Sequence, residues 1–269
     1  RSCLVGSEMC IRDRCNSIAN SEGIVLIYSQ WLDSGLIPMA LALEEMGFTR
    51  AIGNSLFENS PVSPIDYISM KSKEETNTDA FSSAKYAFIT GDPRLSPNNV
   101  DEINLLTGEN NVNGKMAKVV LISKAASEGI DLKNIRQVHI LEPWYTMSRI
   151  EQIIGRAVRS FSHQKLPFEK RNVEIFLHGT ILKDKDVEAT DLYIYRLAEY
   201  KAQQIGEVTR VLKESAVDCL LNTEQNNFAQ ENMNMNVQQE LSDGQIIDEF
   251  KVGDLSLIHI SEPTRHERI

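Results

Sequence analysis

An amide and two guanidinium groups fall on one side of a short predicted helix. Within residues 152–159, Gln152, Arg156 and Arg159 stand at positions i, i+4 and i+7, which share one helical face. A planar guanidinium group carries several fixed donors and is well suited to a phosphate group. The pattern therefore indicates phosphate binding, or stabilisation of a phosphoryl group during its transfer.

The predicted helix has its own start signal and its own buried face. Ser148 is expected to cap it, with Glu151 three residues later as the capping-box partner. The apolar side chains expected to anchor it in a core are Ile150, Ile153, Ile154, Ala157 and Val158. An alternative stays open, in which the helix is simply amphipathic and its arginines pair with surface carboxylates.

A second polar turn lies upstream, between residues 118 and 132. Its first part is an apolar run that ends at Ile122 and predicts a buried strand, followed by Ser123, Lys124 and a short helix near 125–128. Gly129 permits a close backbone approach. Asp131 is an acceptor for a ribose hydroxyl or for the arginines of the later helix.

A third segment begins with the buried strand predicted at Gly23 to Tyr28. Ser29 and Gln30 follow it, at the edge where open parallel sheets bind ligands. The loop then enters an apolar helix, Leu36 to Met46, which Gly47 ends. An ordinary loop role for Ser29 and Gln30 is an equally open alternative.

These three segments resemble conserved motifs of superfamily 2 helicases. The run 152–159 fills every fixed position of motif VI, Q-x-x-G-R-x-x-R, and the turn at 123–131 resembles motif V about twenty residues earlier. The strand ending at Tyr28, with the loop after it, resembles motif IV. The resemblance implies the second, C-terminal RecA-like lobe of an ATP-dependent helicase.

The resemblance also implies roles for individual residues. Arg156 and Arg159 would reach the γ-phosphate of ATP as arginine fingers, and Gln152 would position the phosphate or water. Nucleotide contacts are expected from Gly129, Asp131 and Gly155. Contacts with nucleic acid, DNA ahead of RNA, are expected from Ser29, Gln30, Ser123 and Lys124. This interpretation requires the guanidinium groups near the carboxyl rim of the sheet and outside internal ion pairs.

The wider pattern alternates strands and helices, which predicts an α/β fold with a RecA-like parallel sheet and flanking helices over residues 16–189. The predicted strands are 24–28, 86–90, 119–123, 138–141 and 173–178. The predicted helices are 36–46, 99–106, 125–128 and 149–159. Residues 59–78 lack periodicity and predict an insertion or long loop.

Residues 190–222 predict a helical appendage, with a possible break near Gly206. The segment resembles the helical region that follows motif VI in helicase-type ATPases and early-transcription-factor subunits of large DNA viruses. The resemblance implies viral transcription-complex subunits as partners and an intracellular location, in host cytoplasm or virion. Residues 223–254 are poor in aliphatic side chains and predict a flexible acidic tail.

Composition limits the partners. Of the net charge of −10, residues 223–254 carry −6, so the predicted lobe is only mildly acidic. No apolar run is long enough to span a membrane.

Residues 1–15 and 255–269 resemble translated sequencing adapters and are set aside as artefacts. The remaining cysteines, Cys15 and Cys219, make no zinc or disulfide framework.

The sequence lacks the other half of an ATPase site. Gly114-Lys115 is followed by Met116, so it does not complete a phosphate loop, and no D-E-x-[HD] strand is present. We expect both motifs, and most of the Mg²⁺ binding, in a separate N-terminal lobe, with no metal site in this chain. Two alternatives stay open: a non-catalytic helicase-like docking module, and a Rossmann-type enzyme, for which the glycine-rich first turn is missing.

Overall fold

A computed structural model describes residues 14–75, 81–124, 130–159, 161–180, 188–217, 236–240 and 246–251. The chain divides into two compact units. One comprises Arg1–Glu142 and Gln152–His178, and the other comprises Pro143–Glu151 and Gly179–Ile269. Gly129 and the short helix predicted at 125–128 lie outside the described residues.

The first unit contains a six-stranded sheet in the order β2-β3-β4-β1-β5-β6, with every neighbouring pair parallel. The strands are β1 (Ile24–Tyr28), β2 (Thr49–Arg50), β3 (Lys85–Ile89), β4 (Val119–Ile122), β5 (Ile135–Ile140) and β6 (Glu174–Leu177). The predicted α/β fold class is confirmed. The five predicted strands are present, and β2 is an additional edge strand of two residues.

Helices flank this sheet. α1 (Ile37–Glu45) follows a five-residue π-helix, Leu32–Leu36, and α2 (Asn99–Thr107) precedes β4. Side chains of β1, β3 and β4 share one apolar core with Leu36, Met39, Ala40 and Leu43 of the π-helix and α1. The two central strands, β1 and β4, are buried along their whole length, as is typical of a parallel sheet covered on both faces.

The helix that carries the arginines is α3 (Met147–Ala157). The predicted cap at Ser148 is wrong, because the helix begins one residue earlier and the Ser148 hydroxyl donates to Thr146 Oγ1 at 3.3 Å. Ile150, Ile153 and Ala157 are buried, as expected. Val158 is 53% exposed, because it follows the last helical residue and no longer faces the core.

The predicted insertion is tied to the sheet at two points. The amide of Ile65 donates to the carbonyl of Gly47 at 3.1 Å, and the carbonyl of Ile65 accepts from the amide of Ala84 at 2.7 Å. Glu44 of α1 accepts hydrogen bonds from the amides of Leu56 and Phe57 at 2.8 and 2.9 Å. Residues 51–75 are therefore a mostly irregular connection held by backbone contacts.

Glu102 of α2 is a buried carboxyl group, 1% exposed, and neither of its oxygens has a hydrogen-bond partner among the described residues. Burial raises its pKa to about 7 from 4.5, although the positive charge of Arg50 opposes the shift. Between pH 4.5 and about pH 7, the carboxyl group of Glu102 has lost its proton in the unfolded chain but keeps it in the folded protein. The free energy of unfolding therefore falls as pH rises through this window, and the loss is complete above it.

We expect Glu102→Gln to be more stable than the parent chain by about 2 kcal/mol near pH 8, because the amide has no charge to desolvate. Below pH about 4 the carboxyl is protonated in both states, so the two proteins should unfold alike. Denaturant unfolding at both pH values measures this difference. Equal stability of variant and parent at the higher pH would contradict the argument.

The second unit contains α4 (Thr190–Ser215), a helix of 26 residues. The predicted break near Gly206 is wrong, because the helix continues through that residue. Tyr195, Ala198 and Ala202 are buried, whereas residues 203–215 are all exposed. The second predicted apolar face, at Ile205, Val208 and Leu212, is therefore unpacked.

This unit also contains an antiparallel pair of strands, β7 (Asn236–Glu240) and β8 (Ile246–Lys251), inside the segment predicted to be a flexible tail. Both strands are short, and the composition of the segment, poor in aliphatic side chains, predicted a tail. Within the described ranges, no helix combines the length and the apolar character needed to cross a membrane.

Candidate nucleotide and nucleic-acid site

Two guanidinium groups meet the backbone that follows β4. Arg156 Nη1 donates to the carbonyl of Ile130 at 3.4 Å. Arg159 Nη1 donates to Asp131 Oδ1 at 2.9 Å, and its Nε donates to the carbonyl of Gly155 at 3.3 Å. The structure thus brings the predicted motif VI arginines together with the predicted motif V aspartate, in one of the two roles that the sequence allowed for Asp131.

The expected position of these arginines at the carboxyl rim of the sheet is wrong. Asn134, directly before β5, donates its amide to the carbonyl of Ser162 at 3.1 Å, and Ser162 donates its amide to the carbonyl of Arg159 at 3.1 Å. The arginine end of α3 therefore lies beside the amino end of β5. The polypeptide returns along the sheet between the end of β5 and Arg159, which carries the arginines away from the rim.

The expectation that both arginines avoid internal ion pairs is also wrong for Arg159. Its pair with Asp131 is exposed, with 39% and 59% of the two side chains accessible. An exposed pair of this kind contributes at most about 1 kcal/mol. Arg159 Nη2, and Nε and Nη2 of Arg156, have no hydrogen-bond partner among the described residues, so donors remain for a phosphate group.

Two further predicted residues lie on the same helix. Gln152 is exposed, one turn before Arg156. Gly155 is half-buried, and a methyl group added there would meet no atom within 4 Å. Because a glycine inside a helix costs about 1 kcal/mol relative to alanine, internal packing gives no reason for its presence. Gly155 leaves room for something outside the described chain.

The rim of the sheet holds the predicted nucleic-acid residues. Glu142, just after β5, accepts hydrogen bonds at Oε1 from Ser29 Oγ at 3.0 Å and from the amide of Gln30 at 2.5 Å. Ser29 is fully buried, and its one hydroxyl proton is shared between Glu142 Oε1 and the carbonyl of Trp31, which both lie 3.0 Å from Oγ. The Ser29 hydroxyl therefore serves the loop itself, and its contact with nucleic acid stays a prediction.

Ser123 and Lys124 end the neighbouring strand. Tyr28 pairs with Ile122 in the sheet, so the residues that follow leave adjacent strands at the same edge. Ser123 is 4% exposed, and its contact with nucleic acid stays a prediction. Lys124 is exposed and Gln30 is half-buried, and these two of the four predicted residues present surface at the rim.

The sequence analysis missed the arrangement of the loop that follows β1. Gly35 packs so closely on Ser29 that a methyl group at Gly35 would lie 2.1 Å from Ser29 Oγ. Trp31 begins the π-helix turn and is 58% exposed. The only signal in the sequence was the single glycine in an otherwise ordinary loop.

The loop after α3 covers the amino edge of the sheet. His163 is 9% exposed, and its ring nitrogens lie 2.6 Å from the carbonyl of Ile135 and 2.7 Å from Ser162 Oγ. From the sequence, His163 is expected to be a solvated loop histidine, and this is wrong, because the loop folds back onto β5. The sequence also indicates that residues 160–171 either touch nucleic-acid backbone or cover the sheet edge. The described residues 161–171 cover the edge, and the contact with nucleic acid stays a prediction.

Comparison with known proteins identifies the domain family of this chain. Residues 19–161 match the model of the helicase conserved C-terminal domain. The R350 protein of Acanthamoeba polyphaga mimivirus, whose name describes an ATP-dependent RNA helicase, is 42% identical over 133 residues, which are 47% of this chain and 16% of that protein. A termination factor NPH-I homologue of African swine fever virus is 29% identical over 229 residues, which are 77% of this chain and 32% of that protein.

The 087L protein of invertebrate iridescent virus 3, whose name describes a helicase, is 29% identical over 213 residues, which are 77% of this chain and 19% of that protein. The chain thus spans less than a third of the length of the relatives described here. The domain match extends over more than half of the 269 residues and includes every predicted site residue. The chain therefore belongs to the helicase conserved C-terminal domain family.

Proposed function

We propose that this chain is the second RecA-like lobe of an ATP-dependent helicase or translocase, and that it supplies arginine fingers for ATP hydrolysis. The observation that carries the proposal is the grouping of Arg156 and Arg159 beside Ile130 and Asp131. Arg159 is exposed and Arg156 is half-buried beside this acidic acceptor, within the segment matched to the family. Arg159 meets neither condition expected of an arginine finger, since it lies near the amino end of β5 and pairs with Asp131. The proposal is kept because other donors of both guanidinium groups have no partner among the described residues, and because a phosphate group can displace an exposed ion pair worth at most about 1 kcal/mol.

The chemistry of these groups suits phosphoryl transfer. Negative charge spreads over the oxygens of the transferred group, and preorganised cations stabilise it without forming a covalent bond. Arg156 and Arg159 would supply this charge, while Gln152 orients the phosphate or water. We infer that Asp131 either accepts a ribose hydroxyl or holds Arg159 until a nucleotide arrives.

The arrangement also offers a connection between two binding places. Ser123 and Lys124 leave β4 at the rim, and Ile130 and Asp131 meet the arginines only a few residues later. Because the two places are this close in sequence, we infer that nucleotide binding at one affects the other. Such a connection supports the coupling of hydrolysis to movement on DNA or RNA.

The remaining parts of the proposal rest on family resemblance. The phosphate loop, the acidic motif and most of the Mg²⁺ ligands are expected on a companion lobe. Relatives in large DNA viruses, one named as a termination factor, support a role in viral transcription inside the infected cell. Transcription-complex subunits are the expected protein partners.

The first test is ATP turnover by the chain alone and after addition of a lobe with a phosphate loop. We expect no measurable turnover by the chain alone, because nothing in it replaces that loop. Turnover should require the companion lobe and Mg²⁺, and nucleic acid should raise it. Robust hydrolysis by the isolated chain would contradict this division of labour.

A non-catalytic docking module is the competing function. The exposed apolar side chains Ile205, Val208 and Leu212 on α4 favour it, because an unpacked stripe at helical spacing fits another protein surface. A docking module has no use for the two arginines. Loss of ATP turnover on their replacement would therefore decide in favour of catalysis.

A further inference from the structure

One large aromatic side chain stands at the rim of the sheet with most of its surface accessible. Trp31 is 58% exposed, while the strand before it and the helix after it contribute to the core. An indole buries much apolar area when it packs, so leaving it accessible forgoes that stabilisation. Its position therefore calls for an explanation outside the folding of this lobe.

The backbone beneath Trp31 is held at several points. Ser29 Oγ accepts from the Trp31 amide at 3.1 Å and donates to the Trp31 carbonyl at 3.0 Å. The same carbonyl accepts from the amide of Leu36 at 3.1 Å. Ser29 is in turn bonded to Glu142, and Gly35 packs against it. The indole thus projects from a fixed base, which reduces the entropy lost when a ligand stacks on it.

A positive charge lies along the same edge. The parallel register of β1 and β4 brings Gln30 and Lys124 out of adjacent strands, and Lys124 is exposed. Trp31 and Lys124 thus follow adjacent strands at one edge of the sheet. Proteins bind single-stranded nucleic acid with aromatic rings and cations along one surface, since bases stack on the rings and phosphates meet the charges.

The rim is well separated from the arginine pair. Glu142 follows the carboxyl end of β5, whereas Arg159 lies near its amino end, and a strand of six residues spans about 20 Å. A nucleotide whose phosphates meet Arg156 and Arg159 would not also cover the rim. The ligand of Trp31 is therefore distinct from the ATP of the proposed function.

We propose that Trp31 stacks on a base of a single-stranded nucleic acid, with the adjoining phosphate near Lys124. This inference rests on the proposed function and adds a residue that recognises the strand through its bases. Because every base can stack on an aromatic ring, the contact adds affinity without sequence preference.

The chain has two tryptophans, so Trp144→Phe leaves Trp31 as the sole indole fluorophore. This protein is titrated with oligothymidylate and oligouridylate of about a dozen nucleotides, and affinity is measured in parallel by anisotropy of a labelled oligonucleotide. We expect saturable quenching of Trp31, and a loss of affinity of about tenfold to a hundredfold for Trp31→Ala. Trp31→Phe should retain part of the affinity.

Matched controls separate stacking from general effects. Phe168→Ala removes another exposed aromatic ring, 81% accessible, outside the rim, and should bind like the parent. An oligonucleotide with abasic sites should bind more weakly and quench less. The melting temperature of Trp31→Ala should match that of the parent, since the lost side chain is mostly exposed.

Several results would overturn the inference. They are unchanged Trp31 emission during saturable binding, unchanged affinity of Trp31→Ala, quenching by an ATP analogue in place of the oligonucleotide, and no saturable binding by the parent. None of these decides the proposed function, which is judged by the effect of arginine replacement on ATP turnover in the two-lobed protein.

Discussion

Replacing Arg159 with alanine is expected to lower ATP turnover by the two-lobed protein by a factor of about 10³ or more. The guanidinium group would act mainly on charge that develops as the phosphoryl group transfers, so nucleotide binding should stay mostly intact. Its exposed pair with Asp131 contributes little to folding, so the unfolding midpoint should hardly change. Single-turnover kinetics and equilibrium nucleotide binding measure the two quantities separately.

Two control variants sharpen this test. Arg159→Lys keeps the charge but loses the planar fork, so it should recover only part of the turnover. Arg196→Ala removes an arginine that also forms an exposed ion pair, with Glu188 at 2.6 Å, and should leave turnover unchanged. Equal losses of turnover and of nucleotide binding in Arg159→Ala would show a structural arginine and contradict the proposed role.

Replacing Gly35 with alanine is expected to destabilise the chain by about 2 to 3 kcal/mol. The new methyl group would fall 2.1 Å from Ser29 Oγ and 2.8 Å from Ser29 Cβ, so one of the two segments must move. Ser29 has little freedom, because it is buried and bonded to Glu142 and Trp31. Denaturant unfolding measures the loss, and Trp31 fluorescence reports the displaced loop.

A double substitution tests whether this contact is the cause. Ser29→Ala removes the nearer atom, so Gly35→Ala should cost less in that background than in the parent. The two changes should therefore be non-additive, as expected for residues in direct contact. Gly155→Ala is a matched control, since a methyl group there meets nothing within 4 Å and should not destabilise the fold. Additive costs at Gly35 and Ser29 would contradict the packing argument.

Much of the sheet was predictable because its inner strands are continuous apolar runs. β1 and β4 are buried on both faces, and strands of this kind can be predicted from their own apolar sequence without knowing which strands pair with them. β2 escaped prediction because two residues give no periodicity. The strands β7 and β8 lie in a segment whose polar composition predicted a tail. Composition alone cannot show that two segments pair as strands.

The candidate site was predictable in its residues and less so in its geometry. The helical spacing placed Arg156 and Arg159 on one face, yet their partner depends on the path of residues 130–134, which carries no local signal. Burial of Ser29 and Ser123 likewise follows from long-range packing. The sequence could indicate that His163 lies in a loop, but only the fold shows that the loop closes onto Ile135.

The ion pair between Arg159 and Asp131 has a consequence for ligand discrimination. An anion that takes the Nη1 donor of Arg159 must displace the Asp131 carboxylate, so at this donor it gains only the difference between two similar attractions. A monovalent anion such as chloride or acetate therefore gains little binding free energy at this position. We expect a multiply charged group, which can also engage Arg156, to displace the Asp131 carboxylate more readily than a singly charged ion does.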